Sequence, residues 1–255
     1  MSLLQVSGVT KRFGGLTAVN DVSFEVHEGA IKALIGPNGA GKSTLFNILT
    51  AYEKADAGDV IFDGRDLSDI KPHRIVRMGI ARTFQNTQLF EEMSALENVM
   101  VGLHPQTSTG VVAAALRLPG TQSEERHTRG EAERLLRLVG LDGHAAMPAA
   151  DLPHGLRRAL EIARAMATGP RLLLLDEPAA GLNTTETSKL AEVLYRIRDA
   201  GVTLVVVEHD MGLVMEISDA IVVLNEGQKI AEGPPRLIQK DPAVVEAYLG
   251  EPEDD

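Results

Sequence analysis

Short runs of alternating apolar and polar residues, each closed by a turn signal, fill the first thirty positions. Leu3-Leu4-Gln5-Val6 precedes Phe13-Gly14-Gly15, and Val22-Ser23-Phe24-Glu25-Val26 precedes Glu28-Gly29. This pattern predicts antiparallel strands joined by hairpins. Ala30-Ile31-Lys32-Ala33-Leu34-Ile35 is almost continuously apolar, as a strand buried on both faces requires. It runs into a glycine-rich turn, after which Thr44-Leu45-Phe46-Asn47-Ile48-Leu49 takes up helical spacing.

From about residue 89 to 167 the β-type runs disappear and the spacing turns helical, as in Glu131-Ala132-Glu133-Arg134-Leu135-Leu136-Arg137-Leu138-Val139-Gly140, which ends on glycine. Strand signals return at 171–175, 202–207 and 220–224, with a helix over 184–200 between the first two. Strands spaced by helices imply a parallel sheet. The least regular stretch, 107–130, is expected to hold a loop. The organisation that follows is a single α/β domain over 1–255. Residues 1–88 and 168–250 form its core, with an antiparallel β subdomain at the N-terminus, and 89–167 form an inserted helical lobe.

The composition narrows the partners. With 25 Lys and Arg against 36 Asp and Glu the net charge is −11, which disfavours a nucleic-acid binder driven by phosphate neutralisation. Glu251, Glu253, Asp254 and Asp255 put part of that charge in a terminal segment, 251–255, expected to be a solvated acidic tail. The absence of cysteine excludes disulfides, thiolate nucleophiles and Cys-ligated zinc, and fits a reducing compartment. The longest apolar stretches, at 172–175 and 202–207, fall far short of the ~20 residues that cross a bilayer, and Met1-Ser2-Leu3-Leu4-Gln5 shows no signal-peptide pattern. A membrane role would need a separate spanning partner.

Candidate chemistry sits where predicted strands end. Gly36-Pro37-Asn38-Gly39-Ala40-Gly41-Lys42-Ser43 fits the P-loop pattern between a strand and a helix. Its glycines let backbone N–H groups turn inward around phosphates, Lys42 reaches the β and γ phosphates, and the Ser43 hydroxyl suits Mg²⁺. Leu172-Leu173-Leu174-Leu175 ends in Asp176 and Glu177, a carboxylate pair suited to holding Mg²⁺ through water and to polarising an attacking water. Val205-Val206-Val207 likewise ends in Glu208-His209-Asp210, where His209 is, by itself, either a structural histidine or one in place to contact a γ phosphate.

Taken together, these motifs resemble the ATP-binding subunit of an ABC transporter, over nearly the whole chain. The resemblance implies the P-loop NTPase fold of ABC ATPases, ATP and Mg²⁺ as ligands, and a role for each matching position. Phe13 would stack on adenine, Gly36 through Thr44 would cradle the phosphates, and Gln85 would sense Mg²⁺ and the membrane partner. Asp176 would hold the metal together with Ser43 and Gln85, while Glu177, His209 and Lys42 would serve catalysis. The family signature aligns with Leu152-Pro153-His154-Gly155-Leu156, where Pro153 stands in place of a serine and Leu156 in place of a glutamine. The resemblance also implies a head-to-tail pair of ATPases in which Gly155 of one subunit would cover the ATP of the other.

Within the family, Ala81-Arg82-Thr83-Phe84-Gln85-Asn86, Asp176-Glu177-Pro178-Ala179-Ala180-Gly181-Leu182-Asn183 and Val207-Glu208-His209-Asp210-Met211 resemble the ATPases of branched-chain amino-acid importers. That implies two membrane permease subunits, a second ATPase subunit, a solute-binding protein acting indirectly, no nucleic acid, and a peripheral place on the cytoplasmic face of a bacterial inner membrane. Urea and amide importers share much of this pattern. A soluble ABC ATPase of DNA repair would need a coiled-coil insertion and one of translation usually a tandem repeat, and the chain has neither. A P-loop kinase would leave His209, Gln85 and the signature segment without roles, and a regulatory module without turnover is the remaining alternative. Permease docking is expected on the surface between Gln85 and about residue 129, at Phe84, Leu89, Phe90 and Met93, with Val111-Val112-Ala113-Ala114-Ala115-Leu116-Arg117-Leu118 nearby.

Overall fold

A computed structural model describes residues 1–83, 89–103 and 121–249. Phe84, Gln85, the apolar stretch 111–118 and the acidic tail lie outside the described residues.

Strands β1 (Ser2–Phe13) and β2 (Leu16–His27) form a long hairpin, longer than the short runs at 3–6 and 22–26 predict. With β4 (Ala57–Phe62) and β5 (Arg65–Asp66) they make a four-stranded antiparallel sheet in the order β2-β1-β4-β5. The second sheet is built from β3 (Ile31–Ile35), β6 (Ile80–Arg82), β7 (Leu172–Asp176), β8 (Thr203–Val207), β9 (Ala220–Asn225) and β10 (Gln228–Gly233). Its order is β10-β9-β3-β8-β7-β6, parallel throughout except for β10 at one edge.

The helices are α1 (Lys42–Leu49), α2 (Pro72–Ile75), α3 (Ala95–Leu103), α4 (Thr121–Leu138), α5 (His154–Met166), α6 (Thr184–Asp199), α7 (Met211–Ile217), α8 (Pro235–Ile238) and α9 (Pro242–Leu249). Helices α3, α4 and α5 pack on one another in the predicted helical segment. Helix α4 begins ten residues earlier than its apolar spacing indicates, so 121–130, the described part of the irregular stretch, is helical. That half-helix carries Glu, Arg and Gln with no apolar stripe, and its continuation is held by Ala132, Leu135 and Leu136 in the core.

The apolar runs of the parallel sheet are continuous because both faces are covered. Leu173 and Leu175 of β7, with Leu204 and Val206 of β8, point into a core shared with α3 through α6. Leu172 and Leu174, with Val205 and Val207, point the other way, into a core shared with α1 and the antiparallel sheet. A smaller cluster under the C-terminal helices gathers Ala33, Ile35, Ile221, Val223, Ile238 and Val244. Among the described residues no helix is long and apolar enough to cross a membrane.

Candidate active site

Sheet order decides the site. Strands β3, β8 and β7 are neighbours, and Leu34 and Asp176 both register against Val207, so three parallel strands end at one level about 5 Å apart. The loops that leave those ends carry the P-loop, Glu208-His209 and Asp176-Glu177.

Gly36 follows β3 with φ +150°, and a Cβ there would lie 2.1 Å from the Leu224 carbonyl oxygen. Gly41, at φ +97°, begins α1 with a Cβ position 2.3 Å from the Ala18 oxygen. Only glycine fits either position, so the loop runs tight against β9 and β2. Pro37 and Ala40 are buried while Asn38, Gly39 and Ser43 face solvent. The Lys42 ammonium donates to the carbonyl oxygens of Gly36 (2.6 Å) and Pro37 (2.8 Å), which holds its charge over the loop.

Asp176 is buried at the end of β7. Its Oδ2 accepts from Arg82 Nη2 at 2.7 Å, and Arg82 Nη1 also donates to Asn47 Oδ1 (2.7 Å) and Thr50 Oγ1 (3.3 Å) of α1. The guanidinium lies 5.5 Å from the Phe46 ring centroid. Arg82 therefore ties the helix behind the P-loop to the carboxylate at the neighbouring strand end, a role that its place in the Ala81-Arg82-Thr83 string did not reveal. The only signal was a cation at a buried strand end, which needs a carboxylate partner.

Glu177 takes a left-handed backbone conformation at φ +47°, unusual for a residue with a side chain. Its N–H donates to the Val207 oxygen at 2.9 Å, pinning it beside β8. Glu208, 1% exposed, accepts from the N–H groups of Ala179 (2.6 Å), His209 (3.0 Å) and Asp210 (3.3 Å). Burial pushes its carboxyl above the usual carboxylate range, while those three N–H groups pull the other way. The His209 side chain is 67% exposed, with Nδ1 4.0 Å from Glu208 Oε2. Asp210 caps α7 through the Leu213 N–H at 3.0 Å.

Phe13 ends β1 at the hairpin tip, 46% exposed, with the Lys11 ammonium 5.2 Å from its ring centroid. An exposed aromatic there is not explained by core packing. In the signature segment Leu152 is buried, Pro153 precedes α5 without a side-chain cap, and His154 and Gly155 open the helix. The His154 ring and Gly181 are in contact range, with Cε1 3.2 Å from where a Gly181 Cβ would stand, and Glu186 covers Gly155 in the same way at 2.9 Å. Asn183 and Glu186 form a capping box at the start of α6. The signature segment thus rests against the loop that follows Glu177.

A family model described as ABC transporter matches residues 19–180. The chain belongs to the ABC transporter family. A second model, described as branched-chain amino acid ATP-binding cassette transporter, matches residues 228–254. At the level of curated relatives, this ABC ATPase is 46% identical over 98% of both chains to the high-affinity branched-chain amino acid transport ATP-binding protein BraF of Pseudomonas aeruginosa. It is 45% identical, again over 98% of both, to LivG of Escherichia coli, which carries the same description. Among solved structures, the ADP conformation of the ABC transporter cassette MJ1267 superposes with a TM-score of 0.86 at 32% identity, covering 98% of this chain and 100% of that one. The dimeric bacterial ABC transporter cassette MJ0796 gives 0.77 at 26% identity over 91% and 99%. Nucleotide binding and ATP hydrolysis are properties of ABC ATPases, and this chain is one.

Proposed function

We propose that this chain is the ATP-hydrolysing motor of a branched-chain amino-acid importer, working with Mg²⁺ on the cytoplasmic face of a bacterial plasma membrane. The substrate rests on the near-full-length likeness to BraF and LivG and on the match of 228–254. The observation that carries the mechanism is the shared level of the β3, β8 and β7 ends, which the P-loop, the His209 loop and the Glu177 loop all leave.

In this reading the N–H groups of Gly36 through Ser43 and the N-terminus of α1 bind the phosphates, and Lys42 trades a loop carbonyl for a phosphate oxygen. Ser43 and Asp176 would hold Mg²⁺, whose charge offsets that of the β and γ phosphates. They fit it: both offer hard oxygens, and neither Ser43 Oγ nor Asp176 Oδ1 makes a hydrogen bond with a described residue. Glu177 takes a proton from the attacking water and His209 contacts the γ phosphate. Phe13 stacks on adenine with Thr44 behind the phosphates, and Gln85 belongs to the same reading.

The active unit is a head-to-tail pair in which Leu152, Pro153, His154 and Gly155 of one subunit cover the other's ATP. Within the lobe 89–167, the surface between Gln85 and about residue 129 docks a permease helix, and its described part opens on a groove of about 540 Å³ lined by Leu89, Phe90, Val101 and Arg164. The solute-binding protein acts only through the permeases. Closing the pair on ATP moves that lobe, so nucleotide state biases the transporter's two conformations.

The test is reconstitution in vesicles with the permeases and binding protein encoded beside this chain. ATP hydrolysis should rise when the binding protein is loaded with leucine, isoleucine or valine and stay at its basal rate with urea. Stimulation by urea or an amide alone would transfer the chain to that class of importer.

A further inference from the structure

We propose that Glu208 is a positioning residue that locks the loops carrying Glu177 and His209 into one unit, so that the base and the histidine reach the γ phosphate together. The inference rests on the roles given above to Glu177 and His209 and adds the group that couples them.

β8 ends at Val207, and the next side chain turns inward rather than out into the site. Both Glu208 oxygens are committed: Oε1 to the Ala179 N–H, two residues past Glu177, and Oε2 to the N–H groups of His209 and Asp210. The Glu177 N–H meanwhile donates to the oxygen of Val207. Residues 177 and 179 are therefore fastened to 207 and 208 at two points, one through backbone and one through a buried carboxylate. No Lys or Arg forms an ion pair with that carboxylate among the described residues, and His209 Nδ1 stands 4.0 Å from its Oε2. A buried charge without a cation survives only by accepting hydrogen bonds, and here all of them come from the two loops. If either loop moved away alone, it would leave a buried carboxylate oxygen without its donor, so the two loops travel as a pair. The same clamp spans Glu177, whose backbone is in the left-handed conformation.

Glu208→Gln separates this role from simple packing. The amide keeps the size, but it offers one acceptor oxygen, so it can serve Ala179 or the His209 side and not both. Expected is a fall in kcat of about tenfold or more, with KM for ATP within about threefold, in chains that still melt cooperatively. In a His209→Ala background the same substitution should cost much less, because one of the two coupled loops no longer contributes. If Glu208→Gln does not fold, Glu208→Asp, an acceptor-only carboxylate one methylene shorter, goes through the same assays and should show the same kcat-selective loss. Wild-type kcat in a folded Glu208 variant overturns the proposal, as does an unchanged cost in the His209→Ala background. Glu177→Gln is measured alongside. If it is inactive while Glu208→Gln is normal, the coupling alone fails; if it turns over normally, the assignment of the base fails and takes the coupling with it.

Discussion

At the edge of the parallel sheet, the proposed chemistry is carried by side chains whose places are fixed by strand register: Lys42 on its loop carbonyls, Asp176 on Arg82, and Glu177 beside β8. At the start of α5 the opposite holds. Pro153 has no donor and makes no cap, Leu156 packs toward the core, and what faces outward is the N-terminal backbone of a helix. One region works through residue identity and should be brittle. In the proposed mechanism the other works through a helix dipole and backbone N–H groups, and should tolerate side-chain change.

The largest effect expected on the brittle side is Glu177→Gln. It preserves shape and hydrogen bonding but not the ability to take a proton, so turnover should drop by about 10²–10⁴-fold while nucleotide still binds. A phosphate-release assay beside a binding titration checks both, and normal turnover would erase the contrast between the two regions. Next comes Lys42→Ala, which deletes a charged donor worth about 1.5–3 kcal/mol and should weaken ATP binding by about 10- to 150-fold. Nucleotide affinity by titration calorimetry is the measure. A mixed pair sharpens the comparison further: a Lys42→Ala chain combined with a chain altered at Gly155 should regain one composite site, and no recovery would mean that each chain closes its own.

A third test sits on the lobe, away from the phosphates. Phe90 and Met93 are exposed, and the backbone at Phe90 is pinned by the buried Asn98, whose side chain both accepts from and donates to it. The Arg164 guanidinium lies 5.7 Å from the Phe90 ring centroid. Glutamates at 90 and 93 should therefore cut permease binding and transport by about tenfold, roughly the loss of one well-buried apolar anchor, and leave ATP affinity unchanged. Pull-down with the permeases and a nucleotide titration read the two halves, and normal transport would move the docking surface elsewhere.

How much of this was legible in the sequence follows the same division. The P-loop could be read because Gly36 and Gly41 stand where no Cβ fits, so the constraint is written in residue type. Asp176 and His209 could be read because each ends an apolar run that is buried on both faces. Arg82 and Glu208 could not, because Arg82 meets Asp176 of the adjacent strand β7 and Asn47 and Thr50 of α1, and Glu208 meets the Ala179 N–H past the end of β7, all distant in the chain. The first ten residues of α4 were hidden for a different reason: a solvated helix continued from a buried one needs no apolar stripe of its own.

The smallest expected effect compares two helix starts directly. Helix α6 has a side-chain cap: Asn183 Oδ1 accepts from the Glu186 N–H at 3.1 Å, and Glu186 Oε2 in turn accepts from the Asn183 N–H at 3.0 Å. Helix α5 begins after Pro153, at φ −53° and ψ 153°, with no side-chain bond to lose. Asn183→Ala should therefore cost about 1 kcal/mol, a drop in Tm of about 2–4 °C for a chain of this size. Pro153→Ala removes no hydrogen bond, and alanine adopts the same extended backbone. Its only cost is the freedom regained by the unfolded chain, about 0.4–1 kcal/mol, and thus about half the shift in Tm. Both melts are run on the nucleotide-free chain, where contacts across a pair do not contribute. Equal or reversed shifts would mean that α5 draws on a cap that Pro153 supplies, and that its N-terminal N–H groups are less available to a neighbouring nucleotide than the backbone geometry indicates.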